Sequence, residues 1–198
     1  LTEYYPSGSV KKQTDALGNV TSFKYDAYGN VTEKTNPDKT INITEYDGLQ
    51  REKATYFKSG ADAVKQILTS TEYEFVKNHG FDIYTALDSC SSKSCSGLKT
   101  IKTTYITVEK QVVTETLADF RGNPVEEKTN GETKRTSAYY ANGQLARQTD
   151  ALNNTTKYEY NKLNKLTKTY APFDTENGAV RYSVTENQYD KNGNVIKT

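Results

Sequence analysis

The chain has one histidine, His79, and two cysteines, Cys90 and Cys95, which are residue types that nucleophilic catalysis uses. A Ser-His or Cys-His pair would need His79 as its general base. His79 lies in Asn78-His79-Gly80, a sequence typical of an exposed hairpin tip, so we interpret it as a turn residue. The histidine therefore gives no support to a catalytic site.

The two cysteines lie in a polar loop rich in serine, and three interpretations are open. A local disulfide between Cys90 and Cys95 is favoured, and it would suit an oxidising compartment outside the cytoplasm. Two free surface thiols are the second interpretation. A metal site is disfavoured because zinc requires four ligands. Redox catalysis is also disfavoured, because it needs a basic neighbourhood and only Lys93 is close in sequence.

Carboxylate pairs are the remaining candidates for acid-base chemistry. Glycoside hydrolysis needs two carboxylates that face each other across a cleft. Alternation along a strand would place Glu72 and Glu74 on one face. We interpret this pair as solvated surface; Glu126-Glu127 and Glu115 with Asp119 are further carboxylate pairs. The sequence thus predicts no enzymatic activity, no metal and no cofactor.

A Tyr-Asp dipeptide recurs along the chain and indicates the repeated structural elements on which the candidate residues lie. Tyr25-Asp26 is followed by Gly29-Asn30, and Tyr189-Asp190 by Gly193 and Asn194; Tyr46-Asp47 repeats the start. Looser copies begin at Tyr5, Asp119, Tyr140 and Tyr160. Several copies are separated by about 20 residues, which is typical of a repeat protein. The motif residues selected as structural are Tyr25, Asp26, Gly29, Asn30, Tyr46, Asp47, Tyr140, Gly143, Tyr160, Tyr189, Asp190 and Gly193.

Each copy predicts one β-hairpin. An aromatic residue ends a strand, Asp or Asn begins a turn, and Gly or Asn accepts a positive φ. Strands rich in Thr, Val, Ile and Tyr follow, with a second turn about ten residues later. The segments 13–19 and 148–154 match almost residue for residue, and Thr21, Phe23 and Tyr25 parallel Thr156, Tyr158 and Tyr160.

These motifs resemble the RHS or YD-repeat family, which includes bacterial Rhs polymorphic toxins, Tc toxin B/C subunits, wall-associated proteins and teneurins. Residues 1–57 and 119–198 carry the resemblance. In the copy that begins at Tyr46-Asp47, Gly48 does not lie at the glycine position of the motif, which Gln50 occupies instead. The resemblance implies an all-β fold: a spiral of antiparallel hairpins that forms part of a shell, or cocoon, wall. The family's self-cleaving segment, rich in Gly and Pro and bearing an aspartate, is not found here.

The segment 58–118 departs from the repeat and is predicted to be an insertion or a set of degenerate repeats with the cysteine loop. Residues 60–68 are predicted as a short helix or a long loop. Residues 69–76 are predicted as a strand that turns at 78–80 and returns over 81–87. Residues 99–108 and 111–117 are predicted as a long hairpin around Glu109-Lys110.

Composition limits the class of protein further. The chain has 198 residues, a net charge of +1 and 26% charged residues without a basic run, so nucleic-acid binding is not expected. The sequence contains no apolar segment long enough for a membrane span. It begins at Leu1 and has no methionine, so we expect it to be a piece of a larger protein.

The chain contains sixteen tyrosines, and the way in which their rings pack would distinguish two functional hypotheses other than an enzyme. Rings packed between adjacent hairpins would favour a structural segment of a shell that encloses a C-terminal toxin or effector, with the parent shell and that domain as partners. An exposed row of rings would favour a secreted or cell-surface module that binds glycans or a protein. We expect the first.

Overall fold

The computed structural model describes residues 1–79, 95–107, 109–176 and 179–198. Throughout these residues the secondary structure is β-strand and turn. The strands are β1 (Thr2–Tyr4), β2 (Val10–Thr14), β3 (Val20–Tyr25), β4 (Val31–Thr35), β5 (Ile41–Tyr46), β6 (Glu52–Lys58), β7 (Gln66–His79), β8 (Cys95–Tyr105), β9 (Gln111–Asp119), β10 (Pro124–Thr129), β11 (Glu132–Tyr139), β12 (Leu145–Asp150), β13 (Thr155–Tyr160), β14 (Leu166–Glu176), β15 (Ala179–Glu186), β16 (Gln188–Tyr189) and β17 (Val195–Lys197).

Strand order in the sheet follows chain order. β1 to β15 form one 15-stranded sheet in which sequence neighbours are hydrogen-bonded neighbours, and β16 with β17 forms a separate two-stranded sheet. The pairings are antiparallel, as between β3 and β4, where Ser22 lies opposite Thr35. The predicted all-β fold of antiparallel hairpins is therefore confirmed.

Short strands alternate with tight turns where the sequence repeats. β2 to β5 contain five or six residues each, and Thr, Val, Ile and Tyr occur in them at high frequency. These residues have branched or aromatic side chains that suit a half-buried pleated surface. A register shift precedes several turns, as between Lys24 and Tyr25, because an extra residue bulges from the ladder there.

The middle of the chain has longer strands, with 14 residues in β7 and 11 in β8. The strand predicted for 69–76 is confirmed, and it extends in both directions. The helical alternative for 60–68 is wrong: the Ala63 N–H donates to the Gly60 carbonyl in a turn, and Gln66 already begins β7. The predicted hairpin of 99–108 and 111–117 is present as β8 and β9, with Ile106 and Thr107 N–H groups donating to the Lys110 carbonyl. Val108 lies outside the described residues.

The predicted turn at 78–80 is wrong in its first two residues, since the backbone of β7 continues through His79. The context of a strand in a sheet can override a local turn preference such as that of Asn78. Gly80, the return strand predicted over 81–87, and Cys90 lie outside the described residues. Cys95 begins β8, but the proposed disulfide falls outside the described part of the chain.

The chain divides into two compact units, Leu1–Glu72 with Ile101–Val113 and Tyr73–Thr100 with Thr114–Thr198. Among the described residues of the first unit, Ile41 and Ala54 are the buried apolar ones. In the second, Leu117 and Val125 form a small cluster against which Val76 and Tyr139 pack. In the described chain, no large side chain is completely buried, so packing within each unit is shallow.

The accessible surface reflects this shallow packing. It amounts to 13319 Å², whereas a folded monomer of this mass exposes about 9,400 Å². Within the described residues, no helical segment has the length and hydrophobicity that a transmembrane helix needs.

Candidate functional site

One turn recurs at both ends of the hairpins. In the turn 26–30, the Asp26 N–H donates to the Asn30 carbonyl at 3.0 Å, and the Gly29 N–H donates to the Asp26 carbonyl at 3.3 Å. Gly29 has φ +93°, so the turn is a type I turn closed by a bulge at the fourth residue. The same pair of backbone bonds closes turns that begin at Tyr5, Asp15, Asp26, Asn36, Asp47, Asp119, Tyr140, Asp150, Asn161 and Asp190.

The fourth position of this turn accepts residues other than glycine. Gln50 has φ +64°, as its alignment with the glycine position predicted, and Lys39 has φ +72°. Asn153 and Asn164 also occupy this position at φ +63° and +60°. A left-handed conformation costs non-glycine residues about 1–2 kcal/mol, so neighbouring bonds must hold these turns closed.

The first aspartate of the turn supplies such bonds. Asp26 Oδ1 accepts the N–H groups of Tyr28 and Asn30 at 2.9 Å each, and its Oδ2 accepts the Asn30 side-chain amide at 2.9 Å. The Asn30 side-chain bond is the largest cause that holds the pKa of Asp26 below its ordinary value. For Asp47, the backbone N–H of Arg51 is the largest cause of a lowered pKa, followed by the Arg51 side chain. These carboxylates hold the turn closed and remain ionised near neutral pH.

Tyrosines at strand ends connect successive turns on one edge. We call the turns beginning at Tyr5, Asp26, Asp47, Asp119, Tyr140, Asn161 and Asp190 the Tyr-Asp turns. The Tyr25 hydroxyl donates to the Val10 carbonyl at 2.9 Å, and the Tyr46 hydroxyl donates to the Val31 carbonyl at 3.2 Å. In each case, the acceptor is the first residue after the preceding Tyr-Asp turn.

The same bond occurs in the second unit. The Tyr139 hydroxyl donates to the Pro124 carbonyl at 2.9 Å, and the Tyr189 hydroxyl donates to the Leu166 carbonyl at 2.6 Å. We call Tyr25, Tyr46, Tyr139 and Tyr189 the strut tyrosines. Tyr139 was not selected from the sequence, which pointed to its neighbour Tyr140. The position of Gly143 in the sequence was the available signal, because a glycine at the fourth position makes Tyr140 the first residue of the turn.

Tyr140 instead makes a second kind of contact, which Tyr5 repeats. The Tyr5 hydroxyl donates to the Phe23 carbonyl and the Tyr140 hydroxyl to the Tyr158 carbonyl, both at 3.0 Å. Tyr5 meets Tyr25 edge to face at 6.1 Å and 89°, and Tyr140 meets Tyr160 at 6.1 Å and 88°. The sequence match between the two ends of the chain therefore extends to ring geometry.

Polar side chains join neighbouring Tyr-Asp turns as well. The Asn30 amide donates to the Gln50 Oε1 at 2.6 Å, and the Gln144 amide donates to the Asn164 carbonyl at 2.9 Å. The Arg121 guanidinium donates to the Ala141 carbonyl. The hairpin ends are thus linked to one another through bonds that do not belong to the strand ladders.

Two grooves lie beside the turns. One, of about 670 Å³, is lined in the first unit by residues that include Tyr28, Ile43, Glu45, Tyr46 and Lys53. The other, of about 640 Å³, is lined in the second unit by residues that include Leu152, Pro172, Phe173, Val180 and Tyr182.

The acid in the first groove is already engaged. Glu45 Oε1 lies 2.5 Å from the Lys65 ammonium, and the Tyr56 hydroxyl donates to Glu45 Oε2 at 3.0 Å. The Lys65 bond is the largest cause of the lowered pKa of Glu45. General acid catalysis at neutral pH uses carboxyl groups whose pKa is raised, so Glu45 is poorly suited to it.

The carboxylates selected from sequence are distributed along the sheet. Glu72 and Glu74 are both exposed on β7, as expected. Glu115 pairs with Lys99 at 2.6 Å, Glu126 with Lys128 at 3.2 Å and Glu127 with Arg135 at 2.6 Å. Among the described residues, no group of three or more His, Cys, Asp or Glu side chains is arranged to hold a metal ion.

Comparison with known proteins identifies the repeat. The RHS Repeat family model matches residues 4–41 and 139–176, which contain the edge-to-face pairs Tyr5 with Tyr25 and Tyr140 with Tyr160. These two stretches therefore match the RHS repeat, as their Tyr-Asp motifs predicted. No curated protein matches the chain.

Solved structures of toxin complexes are also similar to the chain. The crystal structure of TcdB2-TccC3-TEV matches with a TM-score of 0.38 and 12% identity over 96% of this chain and 12% of that one. The pore of the Photorhabdus luminescens Tc holotoxin matches with a TM-score of 0.37 and 12% identity over 99% of this chain and 12% of that one. This chain thus spans about an eighth of the length of the chains it matches.

Proposed function

We propose that this chain is a non-catalytic wall segment of an Rhs-type shell, in a secreted or cell-surface protein, that encloses a C-terminal toxin or effector domain. The linkage between successive Tyr-Asp turns carries the proposal. The strut tyrosines bond one hairpin to the preceding one, and the turn aspartates are committed to holding each turn closed. Groups used in this way serve a wall better than they serve a reaction.

Burial of the tyrosines supports the same function. Tyr5, Tyr25, Tyr140, Tyr160 and Tyr189 are half-buried. The ring of Tyr5 packs against that of Tyr25, and the ring of Tyr140 against that of Tyr160, each across neighbouring hairpins. The structural hypothesis expected this arrangement, whereas the glycan hypothesis expected an exposed row of rings. A barrier works by excluding other molecules, and its residues contribute packing and hydrogen bonds.

Enclosure can be tested in the parent protein by limited proteolysis. The variant Tyr25→Ala/Tyr139→Ala removes one strut from each unit, and we expect it to expose the C-terminal domain to protease severalfold faster than the wild type. Tyr28→Ala is the matched control, because Tyr28 lies at a turn tip with 77% of its surface exposed. The proposal is wrong if the parent gene encodes no further Tyr-Asp repeats and no variable C-terminal domain.

The groove beside Tyr28 and Tyr46 favours a second candidate function, in which the segment binds a carbohydrate. An exposed aromatic ring with acidic and amide groups nearby could stack on a sugar face and bond its hydroxyls. Glycan-array binding that is lost in Tyr28→Ala, with unchanged thermal unfolding, would support this candidate. Equal binding by the variant and the wild type would reject it.

A further inference from the structure

The hairpin formed by β10 and β11 turns through two residues, Asn130 and Gly131. Thr129 and Glu132 pair across the turn, and Asn130 and Gly131 have φ +51° and +81°. Two successive positive φ values define a type I′ turn, whose twist suits the flanking strands. The hairpin turn therefore differs from the Tyr-Asp turns, in which only the fourth residue has a positive φ.

A two-residue hairpin turn can adopt a second conformation. Rotation of the peptide group between Asn130 and Gly131 converts the type I′ turn into a type II′ turn, in which the first residue keeps a positive φ and takes ψ of about −120°. The pair Thr129 and Glu132 is common to both types. Gly131 accepts the changed φ because it has no Cβ. The rotation therefore does not require the hairpin to open.

The type II′ conformation brings the main chain into reactive contact with the Asn130 side chain. At ψ of about −120°, the Gly131 nitrogen lies on the same side of the Cα–C bond as Cβ of Asn130, and so beside the amide carbon Cγ. Attack of this nitrogen on Cγ closes a five-membered succinimide ring. The turn is open to solvent, since even a Cβ added at Gly131 would meet nothing within 4 Å.

We propose that Asn130 is a site of spontaneous deamidation, which converts it to aspartate and isoaspartate in the folded chain. The Gly131 nitrogen gives its proton to solvent base and bonds to Cγ, and the bond from Cγ to Nδ2 breaks with release of ammonia. Water then opens the ring. Opening at the side-chain carbonyl gives aspartate, and opening at the main-chain carbonyl gives isoaspartate. Water is the co-reactant, and nothing is oxidised or reduced.

The two other Asn-Gly dipeptides that the structure describes are held by their turns. The Gly143 N–H donates to the Tyr140 carbonyl at 2.8 Å, and the Gly193 N–H donates to the Asp190 carbonyl at 3.1 Å. Rotation of either peptide group would break its hydrogen bond. A bonded N–H also retains the proton that the attack must remove. A further dipeptide, at 177–178, lies outside the described residues.

The side chain of Asn142 is restrained as well. Its Nδ2 donates to Gln144 Oε1 at 2.7 Å, and its Oδ1 accepts the Gln144 N–H at 3.1 Å. These bonds hold the amide away from the main-chain nitrogen of Gly143. Among the described residues, no backbone carbonyl accepts the Gly131 N–H, so the peptide group after Asn130 rotates without the loss of such a bond.

Isoaspartate at position 130 would disturb the hairpin. The main chain would then run through the side-chain carbons, which lengthens the two-residue turn by one methylene group. Turn type and loop length fix the register of a hairpin. β10 and β11 carry Val125 and Ser137, which are 3% and 8% exposed. We therefore expect the aged chain to unfold more easily than the freshly made one.

Peptide mapping of the incubated chain tests the site. Trypsin places Asn130, Asn142 and Asn192 in different peptides, whose aspartate and isoaspartate contents chromatography and mass spectrometry quantify. The chain in concentrated guanidinium chloride is the reference, because the turns are then lost. We expect folding to slow Asn142 and Asn192 at least about fivefold more than Asn130, the factor expected for one hydrogen bond. Equal slowing at the three sites would overturn the proposal.

Asn130→Gly tests the effect on stability. Gly-Gly suits the same turn, so the variant keeps the hairpin but has no side-chain amide to react. After long incubation, we expect the denaturation midpoint of the wild type to fall and that of Asn130→Gly to fall less. Asn142→Gly is the matched control and should age as the wild type does. Equal ageing of Asn130→Gly and the wild type would contradict the link between this site and stability.

Discussion

The turns 15–19 and 119–123 share a hydrogen-bond pattern but differ in their surroundings. Asp15 accepts the N–H groups of Leu17 and Asn19 at 2.8 and 2.9 Å, and Asp119 accepts those of Arg121 and Asn123 at the same two distances. Asp15 is exposed, whereas Asp119 retains only 6% of its surface. Geometry is therefore set by the local sequence, and the energetic importance of each turn is set by the packing around it.

The packing around the buried turn can be disrupted most strongly at Gly97. A Cβ added there would lie 2.3 Å from the carbonyl oxygen of Ala118, the residue before Asp119. The clash is with backbone, so Gly97→Ala should reduce the free energy of unfolding by about 3 kcal/mol. Urea denaturation measures this loss. Gly60→Ala is the control, because its added Cβ meets nothing within 4 Å; equal losses in the two variants would contradict the packing described here.

Removal of the aspartate carboxylate should destabilise the turns 15–19 and 119–123 to different extents. Asp119→Ala removes the acceptor of the Arg121 and Asn123 N–H groups at a buried position. We expect a loss of about 2 kcal/mol in the free energy of unfolding. Asp15→Ala should cost clearly less, because water reaches its N–H groups. Asp119→Asn keeps one acceptor oxygen and should recover part of the loss. If the two alanine variants lose stability equally in chemical denaturation, burial does not govern the strength of these turns.

The strut tyrosines also differ in how buried their hydroxyl hydrogen bonds are. Tyr139 packs against the cluster of Leu117 and Val125, and its hydroxyl bonds to Pro124. Tyr139→Phe should cost about 1 kcal/mol, since the ring remains and one bond is lost. Tyr46→Phe should cost less, because its bond is longer and exposed. Thermal unfolding of both variants beside Tyr28→Phe would reveal the order, and a neutral Tyr139→Phe would argue against the strut role.

Acid should weaken the exposed turns in a predictable direction. Hydrogen bonds to the carboxylates of Asp15, Asp26 and Asp190, led by their Asn partners, lower the pKa of each below the ordinary value of 3.8. A lowered pKa in the folded state contributes stability above 3.8 that is lost as the pH falls through the folded value. Unfolding midpoints measured from pH 6 downward should therefore fall below about pH 4. Asp26→Asn should flatten this dependence, and an unchanged profile in that variant would contradict the assignment.

Local sequence was sufficient to predict most of the turns, whereas the arrangement of successive hairpins was implied by the family resemblance. The short aspartate and glycine spacing predicted the hairpins, and even Gln50 was placed correctly at the glycine position. Tyr139 was missed because two adjacent tyrosines have the same chemistry and differ only in their distance from Gly143, the fourth residue of the turn. The length of β7 was missed because pairing across the sheet carried the strand beyond Val76 through Asn78 and His79.

The direction of the strut bonds has a consequence for synthesis of the chain. Each donor lies later in the sequence than its acceptor, as with Tyr25 and Val10, Tyr46 and Val31, or Tyr139 and Pro124. A hairpin that has just left the ribosome therefore finds its acceptor on a hairpin that has already emerged. Folding can advance with translation, from the N-terminus onward, without waiting for residues that have not yet been made.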